Sequence, residues 1–252
     1  MAERVQPIPT KLKHDAIVEA LVELRFDLPP KTVPEVLFGR LAEYTPWKDF
    51  EQRALPASQL PAPIRQTDPN LRFAPLFELA APDKRSSVRI GPHALSYHRL
   101  SPYVGWVRLA PELRDAVEGL FSKTTELTVR RLGLRYMNAL RADVHGIRSI
   151  LDLDLKLVIA GEAIKGNINV NFTTDVTDDT QCTVRIATPE FIQGTLPENT
   201  SVYIDVDVFT KNTFKTKDKD TVINWIESAH AKEKEQFFRL LTKDTIDVLK
   251  ET

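Results

Sequence analysis

The chain has little of several things that mark common functions. Cysteine occurs once in 252 residues, at Cys182. No intramolecular disulfide can form, and a reducing, cytoplasmic location is expected. Glycine is scarce, nine residues against 17 prolines. Loops that cradle phosphate need closely spaced glycines so that the backbone can approach the ligand. Neither G-x-G-x-x-G nor G-x-x-x-x-G-K-[ST] occurs, which argues against kinase, Rossmann and P-loop chemistry. Zinc-type spacings (C-x-x-C, H-x-x-x-H) and the G-x-S-x-G elbow are missing too. Met1–Lys13 lacks the apolar core of a signal peptide, and no run has the roughly 18 apolar residues of a membrane helix. Charge of one sign is not in excess: 34 basic and 35 acidic residues leave a net charge of −1. A general nucleic-acid or membrane-surface binder is therefore not expected.

What is present is ordinary globular composition, 42% apolar and 27% charged. A chain of this length buries roughly 70% of its unfolded surface without staples. Ala16, Val18, Ala20, Val22, Leu24 and Phe26 alternate with Ile17, Glu19, Leu21, Glu23 and Arg25. Period two predicts a strand with Glu19, Glu23 and Arg25 on the wetter face. A helix competes, because Ile17, Leu21, Leu24 and Leu28 also recur at helical spacing. Thr32 is a candidate N-cap for a helix over about 33–44. Residues 45–70 hold five prolines and read as a long surface loop with room for one short strand. Leu71–Ala80, Ser87–Gly91 and Ala94–Leu100 read as strands. Trp106–Ser122 carries a helical stripe whose regular part is expected to begin near Pro111.

The second half repeats the style. A short helical candidate at Ile147–Asp152 leads to strands at Leu153–Ala160, Lys165–Thr173, Cys182–Thr188 and Ser201–Phe209. A long closing helix carries Val222, Trp225, Ile226, Ala229, Phe237 and Leu240, and Ile246 and Leu249 continue it out of phase. The fold expected is α+β: two β-rich halves, 1–142 and 143–252, with antiparallel or mixed sheets. Each half is packed by a long, Trp-headed helix, a pattern that an internal duplication would produce.

Between the halves lies Leu127–Leu140, LTVRRLGLRYMNAL. Alternation puts Arg131, Gly133 and Arg135 on one strand face, opposite Leu132, Leu134 and Tyr136. Arginine suits bidentate capture of carboxylate or phosphate, and glycine between two arginines leaves room for a close neighbour. Two readings stay open. The arginines hold an anionic ligand such as a nucleotide, or they form a ladder with strand carboxylates such as Glu19, Glu23 or Asp205. The candidate binding residues are Arg131, Arg135, Tyr136, Asn138, Glu19 and Glu23. No complete catalytic set is visible. Asp205 and Asp207 share a strand face but lack a third ligand nearby in sequence, the five histidines are scattered, and Cys182 sits inside a strand without a neighbouring base. No metal and no cofactor are expected.

Arg131-Leu132-Gly133-Leu134-Arg135-Tyr136-Met137-Asn138 resembles the R-x-G-L-R-Y-[IV]-N signature of a sporadically distributed family of uncharacterised bacterial and archaeal proteins of comparable length. Ala16–Phe26 and the run from Trp225 through His230 to Thr242 are similar to that family's first strand and last helix. The patchy distribution of the family implies mobile genes of the toxin–antitoxin or phage-defence kind. With no catalytic set, the resemblance implies a non-enzymatic binding protein. Its partner is a protein encoded by a neighbouring gene, and homo-oligomers are compatible with this.

Overall fold

A computed structural model describes residues 8–9, 12–30, 32–69, 71–124 and 126–250. The expected polar lead at 1–13 lies mostly outside them. The first strand, β1, runs Ile17–Asp27, and helix α1 follows at Pro34–Ala42. Strand β2 (Glu51–Ala54) and helix α2 (Ala62–Thr67) precede the meander β3 (Phe77–Ala80), β4 (Ser86–Ile90) and β5 (Ala94–Leu100). Helix α3 (Trp106–Lys123) leads into the longest strand, β6 (Thr128–Arg141). One helical turn, α4 (Ala142–His145), and a small hairpin of β7 (Val158–Ile159) and β8 (Glu162–Ala163) come next. A second meander follows: β9 (Asn169–Asp175), β10 (Thr180–Ala187) and β11 (Thr200–Thr210). Helices α5 (Lys219–Phe238) and α6 (Lys243–Leu249) close the chain.

The fold is α+β. Nine strands form one sheet in the order β2-β3-β4-β5-β1-β6-β11-β10-β9, and its pairings are antiparallel. Period two prevails over the helical alternative for residues 17–27. Ala20, Val22, Leu24 and Phe26 are at most 1% exposed, and β1 hydrogen-bonds to β5 on one side and β6 on the other. The core lies between the apolar face of the sheet and helices α3 and α5. It draws Leu132, Leu134 and Tyr136 from β6, Val202, Ile204, Val206 and Val208 from β11, and Leu113, Leu120, Ile226 and Phe237 from the helices.

Apart from the extra edge strand β2, the order is symmetric about the β1–β6 pair, with three strands on each side. A long strand, a meander and a long helix occur twice, and the last strand of each meander lies antiparallel beside its own long strand. The repeating unit breaks between α3 and β6, whereas a division after residue 142 falls behind β6. The sheet runs through both positions, because β6 pairs with β1 and with β11 at once.

Several local expectations change. Thr32 is not the N-cap: Val33 precedes α1 without a side-chain hydrogen bond, and Pro34 supplies the preset φ of the first turn. Residues 45–69 are largely ordered into β2, α2 and two 3₁₀ turns: β2 pairs with β3, and Trp47 is drawn into the core at 2% exposure. Helix α3 starts at Trp106, and Pro111 lies inside it. The carbonyl this proline leaves unbonded belongs to Val107, which is 88% exposed and open to water. Trp225 does not head α5 but sits in its second turn. The start is set by Asp218, whose carboxylate accepts from the Asp220 and Thr221 amides. The strand expected at Leu153–Ala160 shrinks to two residues, and Leu153 instead bridges Leu241.

Candidate functional site

The face of the sheet away from the helices is polar across its width. Alternation along β1 places Glu19, Leu21, Glu23 and Arg25 there, and the register aligns them with Arg131, Gly133, Arg135 and Met137 of β6. Strand β11 adds Tyr203, Asp205, Asp207 and Phe209 in the same rows. Glu78, Arg89, Ser96 and His98 extend this face to one side, and Gln181, Thr183 and Arg185 to the other.

The charges on this face answer one another. Arg135 donates from Nε and Nη2 to the two Asp205 oxygens at 2.7 and 2.5 Å. This fork raises the Arg135 pKa despite the opposing effect of burial. Asp205 is 4% exposed, so Arg135 takes the place of water around its carboxylate. Arg131 donates to Glu23 at 3.0 Å, lies 3.6 Å from Asp207, and stacks over the Phe209 ring at 4.7 Å. Burial lowers the Arg131 pKa and raises that of Asp207, and the attraction between the two opposes both shifts. Glu23 also accepts from Arg25 at 2.7 Å. Glu19 bonds His98 Nδ1 at 2.6 Å; burial alone would raise its pKa, but the His98 bond and charge hold it below the usual range.

Gly133 has a specific neighbour. A Cβ there would stand 3.0 Å from Arg131 Nη1 and 3.5 Å from Asp207 Oδ1. The missing side chain makes room for the arginine of its own strand to reach across two carboxylates. Both central arginines thus run into ion pairs, with Glu23, Asp205 and Asp207 as partners and Glu19 paired elsewhere.

Tyr136 and Asn138 are not part of this face. Both point to the helix side and are buried, at 1% and 2% exposure. Grouping them with the arginines is corrected by strand alternation: the even-numbered residues from Leu132 to Leu140 face the helices. Asn138 Nδ2 donates to the Ile204 carbonyl at 3.3 Å, a bond inside the sheet. The Tyr136 hydroxyl lies 3.4 Å from the Tyr103 hydroxyl and 3.4 Å from His230 Nδ1. Trp106 stacks on His230, with ring centroids 3.8 Å apart and planes at 9°. Glu233, one turn further along α5, is 5% exposed, and burial pushes its pKa up to about 8. Burial also pushes His230 down to about 4. Sequence reading missed this cluster, since Tyr103 comes from the loop before α3, Trp106 from α3, Tyr136 from β6, and His230 and Glu233 from α5. The His230–Glu233 spacing on one helix face was its only local signal.

On this face the Ser96 hydroxyl lies 2.8 Å from His98 Nε2, while His98 Nδ1 bonds Glu19, so a hydroxyl, an imidazole and a carboxylate stand in line. Cys182 is fully buried, and burial pushes its thiol up to about 12. Among the described residues no group of three His, Cys, Asp or Glu could hold a metal ion, and no helix is long and apolar enough to cross a membrane. A shallow cleft of about 300 Å³ runs along α1 between Val33, Val36, Arg40 and Lys123. Its Arg40 donates to the Lys123 carbonyl, a long bond of 3.4 Å. No protein-family model matches the chain, and no curated protein matches it.

Proposed function

We propose that the protein is a non-enzymatic binding protein whose polar sheet face docks a protein partner. The observation that carries this is the pairing of Arg131 and Arg135 with Glu23, Asp205 and Asp207 on the sheet face opposite helices α3 and α5. Rigid rows of alternating charge favour a complementary protein surface over a small ligand, because complementary charge confers specificity and orientation. The resemblance of Arg131–Asn138 to a sporadically distributed family favours a partner encoded beside it, in a toxin–antitoxin or phage-defence setting. The protein would then be its accessory, neutralising or sensing component. Thr183 lies on the same face, between Asp207 of β11 and Thr173 of β9. Tagged wild-type protein is expected to capture the co-expressed neighbouring gene product, and Thr183→Arg to lose it with an unchanged circular dichroism spectrum. A wild type that captures nothing, or a variant that captures equally well, refutes the reading.

The second reading is an anion-binding enzyme or sensor built on the same arginines. It would require a nucleotide to displace carboxylates already bonded to them. A thermal shift with nucleotide or phosphate, lost in Arg131→Gln, would favour it over docking.

A further inference from the structure

The two edges of the sheet differ in a way the docking reading does not use. Edge strands expose unpaired amides and carbonyls, and proteins usually blunt them with charge, proline or shortness. Strand β2 is blunted: it has four residues, and Glu51 and Arg53 on it bond each other at 2.6 Å. Strand β9 is not. It has seven residues, and Asn169–Thr174 (NVNFTT) contains neither charge nor proline.

Among the described residues, the register identifies the backbone groups of β9 that face away from β10. Ile168 accepts from the Thr188 amide at 2.9 Å, and Val176 donates to the Thr180 carbonyl at 2.9 Å. Between these ends the pairing of β9 with β10 is unshifted. In an antiparallel ladder, residues alternate between bonding inward and outward. The even-numbered residues of β9 therefore bond β10, and Asn169, Asn171, Thr173 and Asp175 turn their N–H and C=O groups outward. Phe172 stands on the helix side of this edge, 39% exposed.

We propose that two copies of the chain associate through β9, antiparallel, about a twofold axis at Phe172. One register satisfies all four outward residues: Asn171 opposite Thr173 of the second copy, and Asn169 opposite its Asp175. Amide donors then meet hydroxyl and carboxylate acceptors, and no like charges oppose. Phe172 faces its own copy in a non-hydrogen-bonded pair, where Cα atoms approach to about 4.5 Å and aromatic contact is closest. Shifting the register by one pair leaves an outward residue unbonded and moves Phe172 off the axis. A second copy suits this edge better than a charged strand, because Asn169–Thr174 is neutral and complementary to itself, and Asp175 at its end is paired with Lys211 of its own chain.

The same geometry supplies the test. Phe172→Cys places two thiols on the axis within disulfide reach, where Cα separations of roughly 4.4–6.8 Å are bridged. Native Cys182, fully buried, does not compete. Wild-type protein is expected to show an apparent mass that doubles with concentration in sedimentation equilibrium. On mild oxidation Phe172→Cys is expected to give a covalent dimer, and Thr174→Cys, which faces Val170 of the other copy, is not. Phe172→Lys sets like charges against each other and is expected to sediment as a monomer with wild-type circular dichroism. A wild type that is monomeric at every concentration overturns the proposal, as does equal cross-linking of Phe172→Cys and Thr174→Cys. Capture of a neighbouring gene product would bear on the docking face and leave this result unaffected.

Discussion

At the scale of single residues, the open face depends on a few carboxylates with little access to water. Asp205 is the clearest. Removing its partner leaves a buried charge unanswered, a loss that costs about 3–5 kcal/mol in full burial. The Arg135 side chain is 39% exposed, so water offsets part of it. Arg135→Ala is expected to cost about 2 kcal/mol in urea unfolding. The double change Arg135→Met with Asp205→Leu should recover most of that. If the double variant is as unstable as the sum of its parts, the two residues do not act as a pair. Glu233 makes the opposite kind of case. Its pKa is raised from 4.5 to about 8, so the unfolded chain ionises first, and the fold weakens as pH climbs from 4.5 towards 8. Glu233→Gln removes that penalty. It should be more stable than wild type by on the order of a few kcal/mol at pH 8, with no difference near pH 4. His230 acts at the acid end. Its pKa is depressed from 6.5 to about 4, so stability falls as pH drops through that interval. A urea midpoint for Glu233→Gln that tracks wild type at every pH would exclude the effect.

At the scale of elements, two helices show where local rules give way. Pro111 costs α3 the hydrogen bond to the Val107 carbonyl, and its ring crowds the turn before it. The helix persists because Leu109, Leu113, Val117 and Leu120 are buried against the sheet. Pro111→Ala is expected to raise stability by about 1 kcal/mol, read as a higher melting temperature. A lower melting temperature would mean that this proline fixes a conformation the fold needs. Helix α5 depends on its cap. Asp218 accepts from the Thr221 amide at 2.9 Å and also from its hydroxyl at 2.5 Å. Asp218→Ala should cost about 1 kcal/mol, and Asp218→Asn much less, in the same urea measurement.

At the scale of the whole molecule, the two topological repeats are fused rather than joined. Strand β6 takes hydrogen bonds from both sides, and a single core spans Trp47, β1, β6, β11 and α5. Separating the chain after residue 142 would strip β11 of its inner neighbour and expose the apolar face of β6. Unfolding is therefore expected to be one transition, with far-ultraviolet dichroism and the fluorescence of Trp47, Trp106 and Trp225 changing together. Two separated transitions, or a stable folded fragment 1–142, would contradict this.

Much of this was legible in the sequence, and the part that was not has a common cause. Alternation located β1, β5, β6 and β11, because a strand with one dry face must repeat every second residue. The same alternation set Arg131, Gly133 and Arg135 on one side and Tyr136 on the other. Scarce glycine and a lone cysteine argue, from sequence alone, against phosphate-cradling loops and an intramolecular disulfide. Tertiary structure decided the rest. Which carboxylates meet the arginines depends on which strands are neighbours, and β1, β6 and β11 are brought together from more than 180 positions of chain. Trp47 becomes core, and β2 joins the sheet beside β3, for a reason no local pattern records. The cluster of Tyr103, Tyr136, His230 and Glu233 exists only once β6, α5 and the loop before α3 pack. Periodicity is a property of one segment meeting one boundary between water and core; partners are a property of segments meeting each other.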